Sequence, residues 1–369
     1  MREVSKQRPD ILFLGLVVGL VIFGLVALSS AAGPLGYTRF GDTLYFVKHQ
    51  LLFGVVPGLI ALFVMMKVPY QFWKKIALPL LVISIGLLLM VFIPGLRAEF
   101  GTARSWVDLG FFSFQPSEIV KLTFLFYLAA WVETRGEQGV RDIKTGLLPF
   151  LILLGIIVGL LVLQPDTGSM AIIVLESLAV FFVAGSSLLH LVTMGGIGVG
   201  LLGLLIKLSP YRAARFMTFL HPELDPQGIG YHINQALLAI GSGGFFGLGL
   251  GHSRQKFQYL PEVQGDSIFA IVGEEMGFLF AVILVAVFVI FLWRGLRIVR
   301  SAPDYFGMFV GIGILSWIVF QAFVNIGSMV GIMPMTGVPL PFVSYGGTAM
   351  ISALAGVGVL LNISLHRRN

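Results

Sequence analysis

The sequence predicts an all-α polytopic membrane protein with ten transmembrane helices and both termini in the cytoplasm, and three observations carry that prediction. First, hydrophobic residues make up 57% of the chain and charged ones 11%, where a soluble domain has about 45–50% and about 25%; the mean hydropathy is +0.95. Second, apolar runs approach the length of about 20 residues that crosses a hydrocarbon core as helix. They lie at roughly 11–31, 50–66, 76–94, 117–132, 147–163, 168–185, 189–208, 267–293, 305–327 and 347–363. Third, Lys and Arg collect on alternate connections. Arg2, Lys6 and Arg8 precede the first run; Lys67, Lys74 and Lys75 follow the second; Arg135, Arg141 and Lys144 follow the fourth; Arg294, Arg297 and Arg300 follow the eighth; Arg367 and Arg368 end the chain. The short connections opposite hold Arg39, Lys48, Arg97 and Arg104, so the positive-inside rule orients the chain.

The first run resembles a signal peptide, with basic residues before it and SSAAG after it. At about 21 apolar residues it exceeds the usual signal core of about 7–15, and it reads as a retained helix. With no cysteine, no disulfide braces the outer loops and no thiol chemistry is available. The pI near 9.6 reflects basic residues in short cytoplasmic turns, a topology signal that also attracts anionic membrane lipid, rather than a nucleic-acid site. No hydrophilic linker is long enough to hold a separate soluble unit, so residues 1–369 read as a single membrane domain. Small-xxx-small pairs such as Gly15/Gly19, Gly196/Gly200, Gly273/Gly277 and Gly327/Gly331 suit close helix packing.

Three outer segments are more than connections. The longest, about 209–266, contains YHINQALLAIGSGGFFGLGLG, where Ile233, Leu237 and Ile240 recur at helical spacing beside His232, Asn234 and Gln235. The second, 96–116, mixes aromatics with Arg97, Glu99, Arg104 and Asp108; the third, 333–346, is uncharged but holds Pro334, Pro339 and Pro341. Irregular backbone near membrane depth requires cover from protein or access to water, so together these segments suggest an outward-facing cavity.

Charges inside the runs are few, and each costs about 2.5–3.5 kcal/mol at a helix centre. Glu118 and Lys121 open the fourth run three residues apart, on one helix face, where they can pair or present the Lys121 ammonium to an anionic ligand. Glu176 stands alone in the sixth run, and Asp166 in QPDTG suits a turn or cap. Asp266 begins the eighth run, where Asp is a favoured N-cap. Glu274 follows on nearly the same face, roughly 12 Å deeper. Arg104, Lys121, Arg212, Arg215, Arg254 and Lys256 all map to the outer side or its edge. A carboxylate among several cations suits a site that handles phosphate and activates a hydroxyl.

The blocks GTARSWVDLGFFSFQPSEIVKL, QPDTGS, GYHINQALLAIGSGGFFGLGLGHSRQKFQYLPEVQGDSIFAIVGEEMGF and NIGSMVGIMPMTGVPLPFVSYGGTAMISALAGVGVLLNIS resemble the signatures of the SEDS family (shape, elongation, division and sporulation), ten-span peptidoglycan glycosyltransferases. The resemblance covers nearly the whole chain. SRQKFQYLPE and LLNIS are more similar to the division-type FtsW and sporulation-type SpoVE branch than to the elongation-type RodA branch. It implies polymerisation of lipid II at the outer face of the bacterial cytoplasmic (inner) membrane, in cell division or cell shape, with a class B penicillin-binding protein, a single-pass transpeptidase, among other division or elongation membrane proteins as partners. The family's essential Asp, in the block LPE-x-HTDFIFA, falls on Asp266, and its paired acid and base fall on Glu118 and Lys121. The departures are Gln264 and Gly265 for His and Thr, and Ser267 for Phe; they leave the carboxylate in place but remove an imidazole.

Chemistry and resemblance together assign Asp266 as general base for the acceptor hydroxyl. Arg104, Lys121, Glu118, Arg215, Arg254 and Lys256 are assigned to substrate, and Glu274, Glu275 and Ser344 to the cavity lining. Arg104, Lys121, Arg215 or a divalent cation (Mg or Mn) could neutralise the departing pyrophosphate. Two other readings stand beside this one. A lipid II flippase would share the spans and buried charges, but transporter sites favour the midplane between inverted repeats, and the chain shows no obvious inverted repeat. A non-catalytic scaffold for a transpeptidase is the other.

Overall fold

The computed structural model describes residues 8–96, 105–110, 112–222, 227–228 and 230–366, with Tyr211 described by its backbone alone. The expected apolar runs coincide with the helices α1 (Ile11–Phe40), α2 (Tyr45–Lys67), α4 (Ala77–Met90), α5 (Pro116–Arg141), α6 (Ile143–Leu163), α7 (Thr167–Val183), α8 (Leu188–Leu208), α11 (Ile268–Arg300), α12 (Tyr305–Met329) and α13 (Gly347–Leu365). Short helices α3 (Gln71–Lys75), α9 (Pro210–Leu220) and α10 (Tyr231–Ser242) lie between them. The described strands are β1 (Val107–Asp108) and β2 (Ser113–Phe114), a two-residue antiparallel pair with Val107 opposite Phe114. Among the described residues, α1, α2, α6, α8, α11, α12 and α13, seven in all, are long and apolar enough to cross a membrane, and the chain is a multi-pass membrane protein. Helix is the required form, because lipid offers nothing to an unpaired peptide group.

Several helices run beyond their apolar cores to ends set by caps. Asp10 caps α1 by accepting from Phe13 N, and Gly41 closes it in a left-handed conformation. Asp166 caps α7 through Ser169 N, and Asp304 caps α12 through Gly307 N. These polar ends also tie the bundle together. Asp10 accepts from Arg294 of α11 at 3.0 Å, and its backbone N–H donates to Ser364 of α13. The Tyr70 hydroxyl donates to Asp304 at 2.7 Å while its N–H donates to Asn362. One end of the bundle thus joins residues from both ends of the chain.

The core runs through α12 and α13. Trp317, Ile318, Val357, Leu360 and Leu361 are at most 1% exposed. α2 contains a π-helical turn, Leu51–Val55, preceded by Gln50, whose buried side chain binds the segment before α13. Its amide nitrogen donates to Ser344 O at 3.3 Å, and its oxygen accepts from Gly346 N at 3.0 Å.

α11 is broken at Gly277, which has φ 76°. Residues 243–249 dock into the break and bond four of the peptide groups beside it. Leu248 N and Gly249 N donate to the carbonyls of Glu274 and Glu275, and Phe278 N and Leu279 N donate to the carbonyls of Gly244 and Phe245, at 2.9–3.2 Å. The apolar run is therefore two helical segments mechanically, with the first, 268–276, held by the glycine-rich segment rather than by its own continuation.

A Cβ on Gly277 would sit 2.3 Å from Gly247 N, on a backbone whose positive φ costs a side chain about 1–2 kcal/mol before any clash. Gly277→Ala should lower the melting temperature in detergent or abolish folded yield. Gly155→Ala, with nothing within 4 Å of its Cβ position, should be neutral or stabilising by up to about 1 kcal/mol.

Candidate active site

The turn that carries Asp266 is held from both sides. Gly265 N and Ser267 N donate to Glu262 O. On α12, the Asn325 side-chain amide donates at 2.8 Å both to Asp266 O and to Val338 O, stapling the proline-rich segment 333–346 to the start of α11. Tyr345 N adds a bond to Gln264 O at 2.8 Å. Asp266 is not the helix cap that its position suggested. Ser267 occupies the N-cap position and makes no side-chain cap bond, so the Asp266 carboxylate is free for other work.

That carboxylate sits in a recess, keeping some accessible surface while protein atoms crowd it from most sides. Desolvation, then the neighbouring Glu262 carboxylate, push its pKa from 3.8 up to about 7, against the opposing Arg215 guanidinium. Oδ2 faces the backbone at Gly337, where a Cβ would stand 3.9 Å away. Arg215 comes from α9 and donates to Met335 O at 3.3 Å. Arg212, one turn earlier, donates to Val162 O at 3.0 Å. The result is an acid–base group poised near neutrality beside a guanidinium, the pairing that proton abstraction and anion stabilisation require.

Glu118 and Lys121 form the expected pair, 2.6 Å apart and fully buried. Lys121 also donates to Gln321 Oε1 at 2.7 Å, Trp317 Nε1 donates to the same oxygen at 2.9 Å, and Gln321 Nε2 donates to Pro339 O at 2.9 Å. The ammonium therefore reaches the proline-rich segment through an amide rather than facing the surface. Glu176 is buried with neither carboxyl oxygen hydrogen-bonded.

The remaining expected residues have partners other than Asp266. Glu274 accepts from Arg254 N at 2.9 Å and from the Ser253 hydroxyl, and Glu275 accepts from Ser30 at 2.7 Å and pairs with Lys256 at 2.8 Å. These two carboxylates anchor the segment 253–256 and meet both expected cations there: Lys256 is buried in its ion pair, and Arg254 is held through its backbone while its side chain is exposed. The latter lines an open depression of about 750 Å³ with His252, Phe257 and Tyr259; Asp266 is outside it. Ser344 is buried, accepts from Leu340 N, and borders a gap of about 10 Å³, room for one water at most. Arg104 lies outside the described residues. Among the described residues no group of three or more His, Cys, Asp or Glu could hold a metal ion.

The structure adds residues that the sequence did not single out: Asn325 and Gln321, one helical turn apart inside an apolar run; Gly337 opposite the carboxylate; and His232, whose Nε2 lies 2.6 Å from Ser267 Oγ. Amides one turn apart in a membrane helix were a legible signal, since uncompensated polar groups are costly there.

A family model described as Cell cycle protein, FTSW_RODA_SPOVE, matches residues 10–369. Stage V sporulation protein E of Bacillus subtilis is 41% identical, across 99% of this chain and 99% of its own length. The probable peptidoglycan glycosyltransferase FtsW of Trichlorobacter lovleyi is 39% identical, across 96% of this chain and 93% of its own. Among solved structures, the rod shape determining protein RodA of Thermus thermophilus superposes with a TM-score of 0.72 at 29% identity, over 98% of both chains. A chain from a peptidoglycan synthase complex, solved for its structural coordination of polymerization and crosslinking, superposes with a TM-score of 0.79 at 29% identity, over 97% of this chain and 98% of that one.

Two outcomes follow from this geometry. Removing one member of a buried ion pair costs about 3–5 kcal/mol, so Lys121→Ala should unfold the protein or cut its melting temperature sharply, read by thermal melt in detergent. Asp266 binds its proton more tightly folded than unfolded. Its contribution to stability is therefore complete below about pH 4 and is lost as pH rises through about 7. The wild-type melting temperature should fall across that window, and Asp266→Asn should flatten the decline.

Proposed function

The chain belongs to the FtsW/RodA/SpoVE family of cell cycle proteins, and we propose that it is a peptidoglycan glycosyltransferase that polymerises lipid II into glycan strands at the outer face of the bacterial cytoplasmic membrane. The observation that carries the reading is the Asp266 carboxyl, recessed at the start of α11, with its pKa pushed up to about 7 beside Arg215. A base with that pKa is ionised in a large fraction of molecules at neutral pH and still strong enough to draw a proton from a sugar hydroxyl.

In the reaction, the acceptor's GlcNAc 4-hydroxyl oxygen bonds to the donor's MurNAc C1 as the bond from C1 to the pyrophosphate oxygen breaks. The hydroxyl proton passes to Asp266, and undecaprenyl pyrophosphate leaves with the electron pair. Arg215 is the described cation nearest this chemistry, and Arg104 joins it on the sequence argument. Both substrates are lipids with polar heads, which is why the carboxylate belongs at the end of an apolar bundle rather than at its centre.

Ten spans with both termini cytoplasmic fit this reading. Each apolar run coincides with a helix, and Asp10 meets Ser364 and Arg294 at one end of the bundle, with Asp266 at the start of α11 at the other. The fold of the synthase-complex chain supports a class B penicillin-binding protein as partner. The break in α11 resembles those of transporters, but here protein groups bond four of the peptide groups beside it.

Asp266→Asn keeps the shape but cannot take a proton at neutral pH. General-base catalysis accounts for about 10²- to 10⁴-fold in rate, so the variant should stay folded and make no detectable long glycan. The assay is glycan length from lipid II with purified protein and a transpeptidase partner, alongside a thermal melt. Polymerisation within a few fold of wild type would remove Asp266 from the chemistry. In the wild type the rate should rise with pH through about 7 as Asp266 ionises.

A further inference from the structure

Two groups beside Asp266 have no part in the steps above. The imidazole of His232, on α10, places Nε2 at 2.6 Å from Ser267 Oγ. Ser267 Oγ in turn lies 2.8 Å from Pro261 O and 3.4 Å from Asp266 Oδ1. Ser267 is completely buried at the N-cap of α11 yet makes no cap bond, although that bond is what a serine at an N-cap ordinarily supplies. Its hydroxyl is turned instead toward the turn that carries the carboxylate.

Donor and acceptor roles follow from the protonation state. Burial first, then the Arg215 guanidinium, hold His232 down to about 4, so at neutral pH the ring is uncharged and has one N–H. Given to Ser267 Oγ, that N–H fills an acceptor position of the hydroxyl and leaves its hydrogen two destinations, Pro261 O and Asp266 Oδ1. An ionised carboxylate is the stronger acceptor, so the hydrogen turns to Oδ1 when Asp266 is charged and to Pro261 O once Asp266 has taken a proton. The 3.4 Å contact is long for a hydrogen bond, as such bonds often are before substrate arrives.

We propose that His232 and Ser267 are a positioning pair for Asp266: the imidazole fixes the hydroxyl, the hydroxyl holds Oδ1, and Oδ2, facing Gly337, is the oxygen that receives the acceptor's proton. This rests on the reading of Asp266 as general base. Among the described residues, the charged and titratable groups facing the carboxyl are Glu262 on its own turn, Arg215 on α9 and, through Ser267, His232 on α10.

Thr and Val have nearly the same shape, so Ser267→Thr and Ser267→Val separate the hydroxyl from packing, and His232→Gln removes the ring. The first readout needs no turnover: the carboxyl stretch of Asp266 is titrated by infrared spectroscopy of the full-length protein, with Asp266→Asn as blank. Without the hydroxyl, the charged form loses a donor, and the Ser267→Val midpoint should lie about half a unit to one unit above that of Ser267→Thr. The second readout is lipid II polymerisation with the partner. Ser267→Val should lose about ten- to a hundredfold in kcat with KM little changed, Ser267→Thr should stay within a few fold of wild type, and His232→Gln should add little to Ser267→Val. Equal midpoints for Val and Thr, or losses at 232 and 267 that multiply, would overturn the pair. Failure of wild type to polymerise lipid II would instead overturn the glycosyltransferase reading, and the infrared midpoints would still decide the pair.

Discussion

Irregular backbone inside an apolar bundle is tolerable only when every peptide group finds a partner, and this molecule meets that demand with three side-chain amides. Gln50, Gln321 and Asn325 take hold of the proline-rich segment before α13 at Ser344, Gly346, Pro339 and Val338. A proline cannot donate to a neighbour and an isolated loop carbonyl has no ladder to join, so long amides rooted on regular helices reach in to satisfy them. Asn325 extends the same function to Asp266 O. The position of the reactive carboxylate is therefore a by-product of solving a backbone problem.

The buried charges follow a related logic. Lys121 is buried with its ammonium bonded to Glu118 and to Gln321, and Gln321 holds the segment that faces Asp266. Glu274 and Glu275 do for residues 253–256 what Lys121 does for residues 333–346, fixing a loop by charge-assisted bonds from within a helix. Among the described residues, Asp266, Glu262 and Arg215 combine charge with a position at the reactive recess. Most of the ionisable groups embedded in the bundle are scaffolding for a site that uses few of them.

Much of this could be read from the sequence, and the divisions have physical reasons. The helices were legible because apolar length is a local property, and so was the Glu118–Lys121 pair, because three residues along a helix is a fixed distance. Asp266 stood out as a carboxylate at an apolar boundary. What could not be read were pairings across sequence distance. Lys256 looks like a free cation in the sequence, and Glu275, on another segment, pairs with it; no local signal says that the Arg254 backbone will bond Glu274. His232 registered as one polar residue among several, because nothing local announces that α10 will deliver it to Ser267. The break at Gly277 was read as a packing glycine, since φ is not written in composition.

That break divides α11 into a lever and an anchored stub. The stub, residues 268–276, continues the turn that bears Asp266 and is bonded to residues 248 and 249, while the shaft below Gly277 is bonded to residues 244 and 245 and presents Leu279, Val282 and Val289 outward. A span answers a change in bilayer thickness by tilting, and both sides of this joint are bonded to residues 244–249. That one segment therefore couples the lipid-facing shaft to the turn that carries the reactive carboxylate.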